Sequence, residues 1–124
     1  MDAEAAWDFA ESWADAWNRR DLDAVLAKYR DDARFVSPKA ASFVGQPAVE
    51  GKAALRRYWE IALTRIARLR FTLEQVVNDA GTGRVVVIYV ADLDGRRMRA
   101  AEVFAFAGDG KVMEGEALYG AALP

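Results

Sequence analysis

The sequence predicts an α+β fold in which three helices precede a four-stranded antiparallel sheet. Up to about residue 66 the apolar residues recur at spacings of three and four, which is typical of amphipathic helices. After Leu69 they alternate with polar residues, and glycine-containing turns separate the alternating runs, which is typical of strands and hairpins. The chain has 124 residues, of which 53% are hydrophobic and 29% charged. These values fit one globular domain, residues 1–124, that buries a core without disulfides.

The N-terminal helix is predicted from residue 2 to about residue 19. Its buried face carries Ala6, Phe9, Ala10, Trp13 and Trp17. Asp21 is predicted to cap a short second helix, because an aspartate at a helix start accepts hydrogen bonds from free backbone N–H groups. The buried face of that second helix carries Leu22, Val25, Leu26 and Tyr29.

A short strand is expected from Ala33 to Ser37. Pro38 ends it, because proline lacks the N–H of a strand ladder and holds the preceding residue in an extended conformation. Residues 38–50 are predicted to form a loop with an apolar tip at Phe43 and Val44. The third helix follows and places on its buried face Leu55, Tyr58, Trp59, Ala62, Leu63 and Ile66.

The alternating part of the sequence divides into four strands. Turns at residues 78–83, 94–95 and 108–110 separate them. The run Val85–Ala91 is apolar on both faces, so this strand is expected to be covered on both sides. The last two strands are predicted over about residues 96–106 and 111–119.

The predicted hairpin of the last two strands isolates one carboxyl group on an apolar face. Pairing of Phe106 with Lys111 places Glu102 opposite Gly115. The face that holds Glu102 comprises Met98, Ala100, Glu102, Phe104, Met113, Gly115, Ala117 and Tyr119. A carboxyl group on such a surface has a raised pKa, because desolvation disfavours its anion. Glu102 is therefore predicted to line a pocket; the alternative is a wet sheet edge or an ion pair with an arginine such as Arg34.

The opposite face of the hairpin mixes apolar residues with charges of both signs. Cross-strand pairing of arginines and glutamates is expected there, among Arg97, Arg99, Glu114 and Glu116. A strand that is apolar on both faces needs a second cover. This face therefore predicts a homodimer interface.

The composition excludes several classes of site. The chain has no histidine and no cysteine, which rules out imidazole and thiolate catalysis, disulfides and the usual zinc sites. The net charge of −2 argues against nucleic-acid binding, which requires a basic surface. An acidic N-terminal segment and the lack of a long apolar run predict a cytoplasmic protein that does not bind membranes. No convergent cluster of carboxylates predicts a metal site.

Three stretches resemble the nuclear transport factor 2-like superfamily, in its SnoaL-like and ketosteroid isomerase-like branch. They are AWNRRDLDAVLAKYRDDARFVSP, GKAALRRYW and AEVFAFAGDGKVMEGEALYG. The resemblance implies a cone-shaped barrel in which three N-terminal helices pack in a strongly curved, mainly antiparallel sheet, with a pocket at the open end and a homodimer. Its members include isomerases, cyclases, dehydratases, epoxide hydrolases and noncatalytic binding domains, so the fold leaves the function open.

Ketosteroid isomerase chemistry carries over to this chain only in part. The general-base aspartate of those enzymes precedes a proline after the first strand, where this chain has Ser37 before Pro38. Their oxyanion-hole tyrosine falls at Trp13, and their neutral, hydrogen-bonding aspartic acid falls at Glu102. Steroid isomerisation is not expected, because a serine hydroxyl without a histidine is not a useful base. The cyclases and dehydratases rely on histidine, and an epoxide hydrolase would need Arg99 beside Glu102, whereas alternation places them on opposite faces.

The sequence therefore predicts a domain that binds a small hydrophobic molecule in an aromatic-lined pocket around Glu102. The predicted binding residues are Trp13, Trp17, Tyr29, Ser37, Tyr58, Trp59, Tyr89, Met98, Met113 and Tyr119. Glu102 is the candidate catalytic residue of an isomerase- or lyase-like reaction without cofactor or metal. The alternative is a noncatalytic dimeric protein-interaction module, with its pocket filled by its own side chains and a contact surface near Phe43 and Val44.

Overall fold

The computed structural model describes residues 1–124 and contains four helices and six strands. The helices are α1 (Ala3–Asn18), α2 (Leu22–Leu26), α3 (Pro38–Val44) and α4 (Lys52–Arg65). The strands are β1 (Tyr29–Val36), β2 (Ala48–Glu50), β3 (Leu69–Asp79), β4 (Arg84–Leu93), β5 (Arg96–Phe106) and β6 (Val112–Ala122). They form one curved sheet in the order β2-β1-β6-β5-β4-β3, antiparallel except for the β1–β6 pair. The predicted α+β class is confirmed.

Local sequence signals start both N-terminal helices. The Asp2 carboxylate accepts the Ala5 N–H at 2.8 Å, and the Asp21 carboxylate accepts the Ala24 N–H at 3.1 Å. At its C-terminal end α1 is tied to β3, because the Asn18 amide donates to the Phe71 carbonyl at 3.0 Å and accepts the Phe71 N–H at 2.7 Å. This double hydrogen bond fixes the apolar face of α1 against the inner face of the sheet.

The segment after Pro38 is not the loop that the sequence predicted. Residues 38–44 form α3 and residues 48–50 form β2, which pairs with β1. The Ser37 hydroxyl accepts the Lys39 N–H at 3.2 Å, proline occupies the first turn, and Gly45 ends the helix at a φ of 83°. Ser37 is therefore a helix cap, and the capped segment places Lys39 against the Tyr119 ring and Phe43 against Tyr58 and Arg65 of α4.

The first strand starts earlier than predicted, at Tyr29 instead of Ala33. Tyr29 thus belongs to β1 and not to the second helix. Its backbone reaches β6, where it pairs in parallel with Val112. Pairing between strands distant in sequence overrides the local helical spacing at this position.

The register of the last hairpin differs from the prediction. Phe106 pairs with Val112, Phe104 with Gly115, and Glu102 with Ala117, because an irregularity between Ala105 and Phe106 shifts the ladder. The change turns Val112 inwards and Met113 outwards. Met113 is 42% exposed on the outer face, so its predicted place in the pocket is wrong.

The outer-face ion pairs also differ from the predicted ones. Arg99 reaches across β4 to the Glu74 carboxylate, with 2.7 Å between Nε and Oε1. Arg97 donates instead to the Pro124 carbonyl at 2.8 Å. Glu114 and Glu116 therefore have no salt-bridge partner on this face.

Candidate functional site

A cavity lies between helices α1, α3 and α4 and the inner face of the sheet. Its wall comprises Trp17, Phe35, Lys39, Tyr58, Trp59, Ala62, Ile66, Leu69, Phe71, Tyr89, Ala91, Leu93, Glu102 and Tyr119. Its volume is about 60 Å³. This is room for a few water molecules and less than the about 150 Å³ of a cavity that accepts benzene. A ring-sized ligand therefore has to displace half-buried side chains such as Ile66, Leu69 and Leu93.

The predicted site residues fall into two groups in the structure. Those in the cavity wall are Trp17, Tyr58, Trp59, Tyr89, Glu102 and Tyr119. Outside the wall are the fully buried Trp13 and Tyr29, the buried Ser37, the half-buried Met98 and the exposed Met113. The ligand contacts predicted for the first group stay predictions.

Several wall residues were missed by the sequence reasoning. Phe71, Leu69 and Leu93 lie on the inner faces of β3 and β4, and the alternation of those strands could have identified them. Lys39 had no such signal, because its position depends on α3, which was predicted as loop.

Glu102 is the only carboxylate in the cavity wall. It lies on β5, is 6% exposed and has no salt-bridge partner. Burial raises its pKa to about 8, and the hydrogen bond that it accepts from the Tyr89 hydroxyl at 3.4 Å opposes the rise. At neutral pH the group is mostly a neutral carboxylic acid. Arg34, the alternative partner, pairs with Glu50 at 3.5 Å instead.

All four tyrosines of the chain lie near Glu102. Burial raises the pKa of Tyr29, Tyr58, Tyr89 and Tyr119, and the charge of ionised Glu102 raises each of them further. All four therefore remain uncharged hydroxyl groups at neutral pH. The cavity wall thus presents three of these hydroxyl groups, those of Tyr58, Tyr89 and Tyr119, around one neutral acid.

Gly115 lies opposite Phe104 and not, as predicted, opposite Glu102, and the absence of its side chain allows close packing. A Cβ atom there would lie 3.0 Å from Phe35 Cδ1 and 3.7 Å from the Tyr29 hydroxyl. The missing side chain therefore lets the Phe35 and Tyr29 rings pack against β6. The Tyr29 hydroxyl is buried without a hydrogen-bond partner, as is Trp13 Nε1.

The positions expected for isomerase chemistry lack its groups. Ser37 Oγ lies 3.4 Å from the Tyr58 hydroxyl and caps α3, and Trp13 is packed among Phe71, Tyr89 and Phe104. Arg99 lies on the outer face with Glu74, so the predicted separation of Arg99 from Glu102 is confirmed. Of the three positions that correspond to catalytic groups of the isomerase, which are Ser37, Trp13 and Glu102, only Glu102 offers acid–base chemistry to the cavity.

Two further features of the structure bear on the site. No group of three or more acidic side chains is arranged to hold a metal ion. None of the helices combines the length and the apolar character that a membrane crossing requires.

Comparison with known proteins identifies the family. Residues 10–115 match the model of the SnoaL-like domain. A SnoaL-like protein of unknown function from Burkholderia thailandensis is 32% identical, with 98% of each chain covered and a TM-score of 0.87. An NTF2-like protein of unknown function from Burkholderia pseudomallei is 21% identical, with 93% of this chain and 90% of that chain covered and a TM-score of 0.80.

A third solved structure of similar fold comes from crystals grown with a small organic compound. TerC, co-crystallised with polyporic acid, is 16% identical, with 88% of this chain and 86% of that chain covered and a TM-score of 0.75. None of the curated proteins matches the sequence. The predicted cone-shaped fold, with its nuclear transport factor 2-like and ketosteroid isomerase-like neighbours, is confirmed. The chain belongs to the SnoaL-like family.

Proposed function

We propose that this protein binds a small hydrophobic molecule in the cavity and that the Glu102 acid donates a hydrogen bond to the polar group of that molecule. The observation that supports this most is a buried carboxyl without a cationic partner in a wall of mainly apolar and aromatic residues. Burying an ionisable group without an opposite charge is costly, and groups whose pKa is shifted by burial are concentrated at functional sites. The TerC complex supports an organic ligand for a protein of this fold.

Glu102 would also be the catalytic group of any reaction in the cavity. A neutral acid near a ligand carbonyl stabilises the negative charge that develops on oxygen during enolisation or elimination. Its pKa of about 8 lies close to neutral pH, which suits proton transfer. The reaction class that fits is an isomerase- or lyase-like step without a cofactor. The wall holds no second carboxylate that could act as general base, so water has to take up the proton released from carbon and return it to the product.

Binding of cyclohexanone tests the role of Glu102, with methylcyclohexane as the matched ligand without a carbonyl. Glu102→Leu removes the donor, so we expect cyclohexanone to bind about 10-fold more weakly, because one hydrogen bond is lost. The affinity for methylcyclohexane is expected to stay unchanged. Glu102→Gln keeps an N–H donor and does not titrate. Its cyclohexanone affinity is expected to be constant from pH 6 to pH 10, whereas wild type loses affinity above about pH 8.

Ligand-observed NMR measures both affinities. Equal cyclohexanone binding by wild type and Glu102→Leu would contradict the role of Glu102. No binding of either ligand to wild type would contradict the proposed function and favour the protein-interaction module. The small cavity volume, about 60 Å³, is the observation that favours this second function.

We propose further that the protein forms a homodimer through the outer face of the sheet. This face carries the half-buried Val86, Ile88 and Val103, and Leu118, which is 48% exposed. Leu118 pairs with Ala101 near the centre of the β5–β6 ladder, so the side chain directly opposite it is small. An apolar strip on an open sheet face is stabilised by a second copy.

The substitution Leu118→Lys is expected to convert the dimer to a monomer, since it places a charge in the apolar strip. Sedimentation velocity at several concentrations gives the mass. Trp7→Lys is the matched control, because Trp7 is exposed on α1 and lies away from this face. A wild-type monomer, or a Leu118→Lys dimer, would contradict this interface.

A further inference from the structure

Lys39 is the only basic side chain in the wall of the cavity. It is half-buried on α3, and its Nζ lies 4.9 Å from the centre of the Tyr119 ring. It takes part in none of the salt bridges of the protein. Contact with the ring holds the ammonium group at the cavity without neutralising it.

The charges around the cavity leave Lys39 unbalanced. Glu102 is mostly protonated at neutral pH, and the hydroxyl groups of Tyr58, Tyr89 and Tyr119 are uncharged. The remaining wall residues are apolar. The wall therefore carries about one positive charge, located at its half-buried part, while the acid lies in the buried part.

From this arrangement we infer that the ligand carries one anionic group that pairs with Lys39 and an apolar body that extends towards Glu102. The inference rests on the proposed function, which requires only that a small hydrophobic molecule enters the cavity. An ammonium group that is partly removed from water pairs strongly with a carboxylate or an enolate. A cationic ligand is disfavoured by repulsion, and a polyanion finds no second cation in the wall.

The chemical class is thus a monobasic organic acid with a small apolar body. Glu102 can donate to a carbonyl of that body while Lys39 holds the acid group. This division of roles also orients the molecule, since the two polar contacts lie in the half-buried and the buried part of the cavity. Lys39 is then a specificity-determining residue for the anionic group of the ligand, and Glu102 fixes the position of the ligand carbonyl.

Two pairs of probes separate charge from shape: phenylacetate with phenylacetamide, and 3-phenylpropanoate with 3-phenylpropanamide. Each pair shares its apolar body and differs in charge. We expect wild type to bind the acids about 10-fold more tightly than the amides. In Lys39→Met the acids are expected to fall to the affinity of the amides, while amide affinity stays unchanged.

Lys52→Met is the matched control, because Lys52 lies at the start of α4, outside the cavity wall, with its Nζ 3.8 Å from Asp31. It should keep the preference for acids. Ligand-observed NMR at pH 7 gives the affinities, and a far-UV spectrum verifies that each variant is folded. Equal binding of acid and amide by wild type, or an unchanged preference in Lys39→Met, would overturn the inference and leave the proposed function standing. Failure of all four probes to bind wild type would overturn both.

Discussion

Glu102→Gln is expected to remove most of the pH dependence of stability between pH 5 and pH 8. In the native protein the carboxyl holds its proton up to a pKa of about 8, whereas the ordinary value is 4.5. The native state therefore binds more protons than the unfolded chain in this window, and the free energy of unfolding falls as pH rises. The stabilisation is fully present below about pH 4.5 and is lost as pH rises through about 8.

The expected size follows from the shift. Each pH unit in the window changes the free energy of unfolding by about 1.4 kcal/mol, so wild type should lose about 3 to 4 kcal/mol from pH 5 to pH 8 relative to Glu102→Gln. Urea unfolding at each pH measures it. Glu116→Gln is the control, because Glu116 is exposed on the neighbouring strand and should leave the wild-type slope unchanged. Parallel curves for wild type and Glu102→Gln would show that this carboxyl is ionised in the folded protein.

This carboxyl was identifiable from the sequence because the signal is local. When apolar residues occupy every second position of a strand and one of these positions holds an acid, the acid lies on the apolar face. It is then buried in every strand register that keeps this face turned inwards. Helices α1 and α4 and the four meander strands were predicted for the same reason, since their periodicity is contained in each segment. The pairing at Glu102 is shifted by two residues, which keeps Glu102 on the inner face, whereas the irregularity between Ala105 and Phe106 turns Met113 outwards.

The parts that the sequence reasoning missed depend on distant contacts or on very short segments. Helix α3 has seven residues, too few for a periodic pattern, and its proline, serine and glycine are equally typical of loops. β2 has three residues. The parallel pairing of β1 with β6 joins segments far apart in the chain. Since Lys39 depends on α3, half of the charge arrangement in the cavity could not be predicted.

Trp13→Ala is expected to lower the free energy of unfolding by about 3 to 5 kcal/mol, because it removes a large side chain that is 0% exposed. The indole lies 5.4 Å from the Phe71 ring, 5.1 Å from Tyr89 and 5.5 Å from Phe104, measured between ring centres. Packing accounts for the whole cost, since Nε1 has no hydrogen-bond partner to lose. Chemical denaturation of the purified variant measures it.

The other tryptophan variants separate a core role from a ligand-contact role for Trp13. Trp7→Ala, on the same helix at 40% exposure, should cost less than about 1 kcal/mol. Trp13→Phe keeps much of the ring contact and removes the unpaired donor, so its cost should stay well below that of Trp13→Ala. Equal costs for Trp7→Ala and Trp13→Ala would contradict the core role. Trp13 lies outside the wall of the cavity in this structure, so a ligand would reach it only if the cavity widened. A stable Trp13→Phe that has lost cyclohexanone binding would therefore show that the cavity widens and that the ligand contacts the indole.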